Sequence, residues 1–191
     1  MRKVRRTTLT ALVASLLAGP AVPQTVPSPR PKPAGNVAPY YPTPIPVVRL
    51  MLDAASIKPG ELVYDLGSGD GRVVILATRD YGARAVGYEL DPKLVDSSRR
   101  QIAEMELGDL ASVVAADLYT ADLEKADVVV VYLLPRALEK LRPLLEEKLK
   151  PGSRVISHDF LIPGWEADET FGFDEEKDID GLPHTVYVYK R

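Results

Sequence analysis

Hydrophobic positions along this chain follow two rhythms. Short apolar runs occupy residues 62–66, 85–90, 112–116, 128–133 and 154–160, and apolar residues recur at helical spacing over 72–81, 92–107 and 136–149. A further helix is expected over 47–55, where Val48, Leu50, Met51 and Leu52 supply an apolar face. Pro92 falls where a first helical turn tolerates proline. Strands separated by helices imply a parallel sheet covered on both faces, because each crossover helix packs on the sheet it spans. The tail differs: residues 169–173 and 185–189 read as two strands around an acidic turn, which gives the sheet an antiparallel edge. The expected class is α/β, a mostly parallel sheet with helices on both faces and an antiparallel C-terminal strand pair. No internal repeat or second domain is visible.

The chemistry is concentrated where the first of these strands ends. Tyr64-Asp65-Leu66-Gly67-Ser68-Gly69-Asp70-Gly71-Arg72 reads as a strand end, a glycine turn and a helix start. Glycines at alternate positions let the backbone turn sharply and approach a ligand with no Cβ in the way, and the helix start points free N–H groups into the turn. This pattern indicates a nucleotide-cofactor site. Glu89 lies 22 positions after Gly67, the distance at which a strand-helix-strand unit sets an acid beside a ribose. The spacing is not the G-x-G-x-x-G of dinucleotide enzymes, since the third glycine comes one residue early and Asp70 intervenes. Asp65 and Asp70 would repel a pyrophosphate and suit a cationic or zwitterionic ligand. Plainer readings exist for two acids: Asp70 as a helix cap, and Glu89 as a loop acid beside Asp91, which itself fills the next cap. Asp65 closes a buried strand, where a carboxylate requires a partner.

The ordered motifs resemble those of the class I S-adenosylmethionine-dependent methyltransferases, which carry an acid followed by G-x-G-x-G and a second acid ending the next strand. Ala115-Ala116-Asp117-Leu118-Tyr119 is similar to the place where that family keeps an acid for the adenine amine, and residues 127–135 resemble its fourth strand and fourth motif. Within the superfamily, three details are most similar to the small seven-stranded protein-lysine methyltransferases, including the type acting on the ATP synthase c-subunit. They are the Tyr41-Pro42-Thr43-Pro44 lead-in, the Asp-Leu-Gly-Ser-Gly-Asp-Gly-Arg string from Asp65, and Ser157-His158-Asp159-Phe160 followed by Pro163-Gly164-Trp165. The resemblance spans residues 40–191 and implies a Rossmann-like fold, S-adenosyl-L-methionine as cofactor, and a protein lysine as methyl acceptor. It implies cofactor contacts at Asp65, Gly67, Ser68, Gly69, Asp70, Glu89 and Asp117, with Tyr41 and Thr43 folded over the methionine part. The plainer reading of the lead-in is that its prolines end a linker and start a helix at Pro46.

One departure bears on the acceptor. Methyltransferases of planar amines use Asn or Asp, then Pro-Pro and an aromatic residue, at the fourth motif; this chain has Tyr132-Leu133-Leu134-Pro135. Without a side-chain amide to orient an exocyclic amine, adenine and glutamine are disfavoured. Backbone carbonyls there could still accept from a lysine ammonium, and Tyr132 either lines the channel or is a core tyrosine whose hydroxyl reaches the surface. His158 ends the fifth strand, at the edge where open parallel sheets bind ligands. A lysine must lose a proton before it attacks, so His158 is the candidate catalytic acceptor; alternatively it only bonds a loop carbonyl. Trp165 either walls a substrate groove or covers the sheet. Little insertion separates the motifs, which leaves an open site suited to a protruding group. A small-molecule or lipid methyltransferase, and a non-catalytic S-adenosylmethionine-binding module, are the alternatives.

Composition narrows the partners. With 46% hydrophobic residues and no cysteine, the 191-residue chain can bury one core without disulfides, and with only His158 and His184 as imidazoles no metal site is expected. Residues 1–34 hold six bases and no acid, which leaves 18 bases against 27 acids over 35–191, a net of −9 that should repel nucleic acid. Arg2, Lys3, Arg5 and Arg6 precede an apolar stretch, residues 9–18, of signal-peptide length and too short to span a bilayer alone. Residues 1–21 are therefore expected to export the protein or anchor it near a membrane; a misassigned start and a cytoplasmic location form the alternative. Export would part the chain from a cofactor made in the cytosol. Residues 22–39 are expected to be a proline-rich linker, since nine of 17 prolines fall in 22–46, and residues 40–191 the methyltransferase domain. Oligomeric state has no signature.

Overall fold

This computed structural model describes residues 40–173 and 183–191. The expected export segment, the proline-rich linker and the acidic turn between the last two strands lie outside the described residues. Helix α1 (Ile45–Ala54) follows an extended Pro44 and carries Pro46 in its first turn, where a missing N–H removes no helical bond. Its Val47, Val48, Met51 and Leu52 are buried as one stripe. There follow β1 (Leu62–Leu66), α2 (Arg72–Tyr81), β2 (Arg84–Glu89), α3 (Pro92–Glu104) and β3 (Ala111–Ala115). Two short 3-10 turns then lead to β4 (Val128–Val131), α4 (Pro135–Lys148), β5 (Arg154–His158), β6 (Glu169–Phe173) and β7 (His184–Lys190).

Among the described residues the strands form one seven-stranded sheet in the order β3-β2-β1-β4-β5-β7-β6. Strands β1 to β5 pair in parallel, and β7 runs antiparallel between β5 and β6. The expected α/β class, with its antiparallel C-terminal pair, is the one found. Three elements end two or three residues short of the apolar pattern, for local reasons. Strand β5 ends at His158 because Asp159 takes φ +59, and α3 ends before Glu106, which takes φ +56; neither conformation continues its element. Strand β4 ends at Val131, since Leu134 must be extended before the proline that opens α4.

Side-chain alternation sorts the core into two layers. Val63, Val130, Ile156, Val186 and Val188 pack with α1, α2 and α3; Leu62, Tyr64, Leu66, Val129, Val155 and Tyr189 pack with α4. By the same alternation Asp65, His158 and His184 belong to the α1 side. Trp165 joins the opposite layer. It meets Tyr189 edge-on at 5.5 Å between ring centroids and donates its indole N–H to Glu146 at 2.8 Å, so it covers the sheet. No helix among the described residues is long and apolar enough to cross a membrane.

Candidate active site

The strand order reverses between β1 and β4, so the segments leaving their carboxyl ends diverge and open a crevice. The glycine turn occupies this edge. Gly67 and Ser68 both donate their N–H to the Tyr88 carbonyl at 2.9 Å, which fastens the turn to the end of β2. At Gly69, φ is +55 and a Cβ would stand 2.7 Å from the Tyr40 ring, so only glycine fits without displacement. The buried Ser98 hydroxyl, from α3, lies 2.8 Å from the Leu94 carbonyl of its own helix and 3.0 Å from the Gly69 carbonyl, and shares its one hydrogen between them.

Three carboxylates converge on the turn. Asp65 is only 5% exposed, and burial, followed by the charges of Asp70 and Glu89, pushes its carboxyl up to about 8. A cation placed against it would offset that cost, which fits the ammonium group of an amino-acid cofactor. Glu89 accepts from Gly69 N–H, Leu90 N–H and Asp91 N–H, each at 2.8 Å. Three of the roughly four acceptor positions of a carboxylate are thus spent on the backbone, which leaves one for a ribose hydroxyl. Asp91 caps α3 through Lys93 N–H at 2.8 Å.

Asp70 grips Arg72 in a fork, Nε to Oδ1 at 2.9 Å and Nη2 to Oδ2 at 2.6 Å. Burial alone would raise this carboxyl, but the hydrogen bonds and charge of Arg72 overcome it and hold Asp70 below its ordinary value. Arg72 then donates Nη1–H to the Thr43 carbonyl at 2.6 Å, so Asp70 acts on the lead-in through Arg72. Ser68 turns its hydroxyl into the sheet, where a Cβ on Gly87 would stand 2.5 Å from it. Its side chain is therefore directed away from the crevice. Asp117 is half-buried beyond β3, where it accepts from Tyr119 N–H at 3.1 Å and caps a 3-10 turn (Leu118–Thr120).

The lead-in meets β5. Thr43 is buried with Oγ1 3.2 Å from His158 Nδ1, and His158 Nε2 lies 2.9 Å from His184 Nδ1. His158 has 0% exposure, with Tyr132 covering it at 4.0 Å between ring centroids. The proton acceptor expected there is enclosed by the lead-in, Tyr132 and β7, and its ring nitrogens meet side chains rather than a loop carbonyl. Tyr132 and Tyr41 are half-buried, and Leu134 and Leu161, three residues beyond the ends of β4 and β5, are exposed. Arg72, Ser98 and His184 escaped the sequence reading as site residues. Arg72 was visible as the last letter of the glycine string; Ser98 and His184 had no local signal.

A mostly parallel sheet with this strand order, a glycine turn after β1 and acids closing β1 and β2 define an S-adenosylmethionine-dependent methyltransferase of Rossmann-like fold. The chain belongs to the ANTKMT methyltransferase domain family, whose model matches residues 65–169. It is 40% identical over 152 residues to a protein-lysine N-methyltransferase of Saccharolobus islandicus, which is 79% of this chain and 92% of that protein. Against the lysine N-methyltransferase of the ATP synthase c-subunit from Xenopus laevis it is 34% identical over 134 residues; the match takes in 70% of this chain and 58% of that longer protein. An RNA methyltransferase from Salinibacter ruber, solved with S-adenosyl-L-homocysteine, superposes with a TM-score of 0.71 at 46% identity over 78% of this chain and 93% of that one.

Proposed function

We propose that this domain transfers methyl groups to lysine amines of a polypeptide. The reading is carried by the 40% identity, over 92% of its length, to a protein named as a protein-lysine N-methyltransferase. The acceptor side agrees with it. Tyr132-Leu133-Leu134 offers no side-chain amide for a planar amine, and the exposed Leu134 and Leu161 flank an edge that a protruding side chain can reach.

S-adenosylmethionine, when bound, supplies a methyl group on positively charged sulfur, so the acceptor amine need only be neutral and aligned. Asp65 receives the ammonium end and Glu89 a ribose hydroxyl, with Asp117 on the adenine side. Gly67 and Gly69 let the backbone approach, and Tyr41 and Thr43 close the methionine side, held there by Arg72 and Asp70. Tyr132 lines the acceptor path. His158 is a positioning residue that sets the Tyr132 ring and the Thr43 hydroxyl, and the lysine proton leaves to water. Residues 1–21 export or anchor the protein and residues 22–39 tether the domain, a reading supported by the four bases that precede the apolar 9–18 stretch.

The name of the Salinibacter protein raises RNA as a second acceptor, against which stands the net charge of −9 over residues 35–191. Labelled methyl transfer from S-adenosylmethionine into host extracts separates the cases. The expected label is protease-sensitive, recovered as methyl-lysine, and absent with Glu89→Ala. Label removed by ribonuclease, or found only in small molecules or lipid, refutes the lysine reading; cofactor binding without transfer to any fraction leaves a binding module.

A further inference from the structure

The chain has two histidines, and folding sets both beside one carboxylate. Strands β5 and β7 pair with His158 opposite Val186, which brings His184, two residues away on the same face, next to His158. Asp159 has φ +59, which folds its carboxylate back over the strand end. His158 Nε2, His184 Nδ1 and Asp159 Oδ2 then stand 2.9, 3.3 and 3.3 Å from one another.

Two physical arrangements produce such a triangle. In a hydrogen-bonded cluster, a charge-assisted N–H···O bond contracts to about 2.7–2.9 Å. Here both nitrogens stop at 3.3 Å from the same oxygen, and the 2.9 Å between the two nitrogens is a hydrogen-bond length when no ion is bound. Ligands held about 2.1 Å from one divalent ion stand about 3.0 Å apart at octahedral angles and about 3.4 Å at tetrahedral ones, and the triangle fits those edges. The outer contacts are those of a ligand set as well. Thr43 Oγ1 faces His158 Nδ1 at 3.2 Å, and Thr185 N–H donates to Asp159 Oδ1 at 2.9 Å, which orients both groups from behind. Two imidazoles and a carboxylate suit a first-row transition ion better than calcium or magnesium.

We propose that His158, His184 and Asp159 form a site for one divalent transition-metal ion of the zinc or cobalt kind. The ion pins the end of β5 to β7. Through His158 Nδ1–H and Thr43 Oγ1 it also fixes the lead-in that borders the cofactor crevice. The two-imidazole count that argued against a metal is offset by a carboxylate, and three protein ligands suffice when water completes the shell.

The test uses the full chain without a polyhistidine tag, freed of metal by chelation and titrated with Co(II) and separately with Zn(II). One equivalent per chain is expected, with visible Co(II) absorption characteristic of nitrogen ligands and a higher melting temperature with Zn(II). No other histidine and no cysteine exists in the chain, so His184→Ala should remove that absorption and Asp159→Asn weaken it. Loss of the outer contact in Thr43→Ala should weaken metal binding about 10-fold. A cooperative thermal melt followed by circular dichroism reports that each variant is folded. Folded wild type that takes up neither ion at millimolar concentration overturns the proposal and leaves a hydrogen-bonded cluster only, and so does a Co(II) spectrum that survives in folded His184→Ala. Should that variant not fold, the wild-type titration decides alone.

Discussion

Replacing Asp65 by Asn tests whether the cofactor's ammonium group is received by a buried acid that is largely protonated beforehand. With its carboxyl at about 8, Asp65 carries a proton in about nine-tenths of free molecules at pH 7. An ammonium group against it favours the ionised form, so binding should expel about 0.9 proton at pH 7 and about half a proton at pH 8. Affinity should therefore climb as pH approaches about 8 and fall again at higher pH, where the ligand's own ammonium loses its proton. The free protein responds in the opposite sense. Its folded state holds this proton more tightly than the unfolded chain, so the stability present at low pH is lost as pH rises from about 4 through about 8. The assay is calorimetric titration of S-adenosylhomocysteine at pH 7 in buffers of different ionisation heat, where the slope counts released protons. Asp65→Asn should bring the slope to zero, weaken binding about 10- to 100-fold through loss of a charge-assisted bond, and flatten the decline of melting temperature with pH. A wild-type slope of zero, or an equal slope in the variant, would refute this account.

Gly69→Ala puts a Cβ 2.7 Å from the Tyr40 ring at φ +55; about 1–2 kcal/mol of backbone cost should lower the melting temperature by several degrees and weaken cofactor binding, and an unchanged melt contradicts the turn described. Arg72→Gln frees both Asp70 and the Thr43 carbonyl, so KM for S-adenosylmethionine should rise with kcat little changed; an unaltered KM removes the latch from the lead-in. Leu141→Ala, on the fully buried face of α4, should cost about 2–5 kcal/mol in urea unfolding while cofactor affinity stays near wild type. A loss below about 1 kcal/mol means α4 does not pack there.

Most of the architecture was legible in the sequence because its causes are local. The apolar period separated strands from helices, and β1, buried at every position, could only be a strand covered on both faces. Asp65 and Glu89 stood out because parallel strands present their carboxyl ends at one edge, so position along the strand already placed them at the crevice. What each group does there depended on contacts that no local pattern encodes. Ser68 sits in the glycine turn but points into the sheet, because Gly87 on the neighbouring strand leaves it the space. Glu89, read as a ribose acid, spends most of its acceptor capacity on three backbone amides. Arg72 reaches 29 residues back to Thr43, and His158 is closed off from solvent and joined to His184, 26 residues on. Periodicity and strand ends follow from neighbours in the chain, so the sequence by itself determined the layers and the cofactor edge. Register between β5 and β7, and the left-handed turn at Asp159, are set by pairing across the sheet, so only the tertiary structure decided which side chains meet.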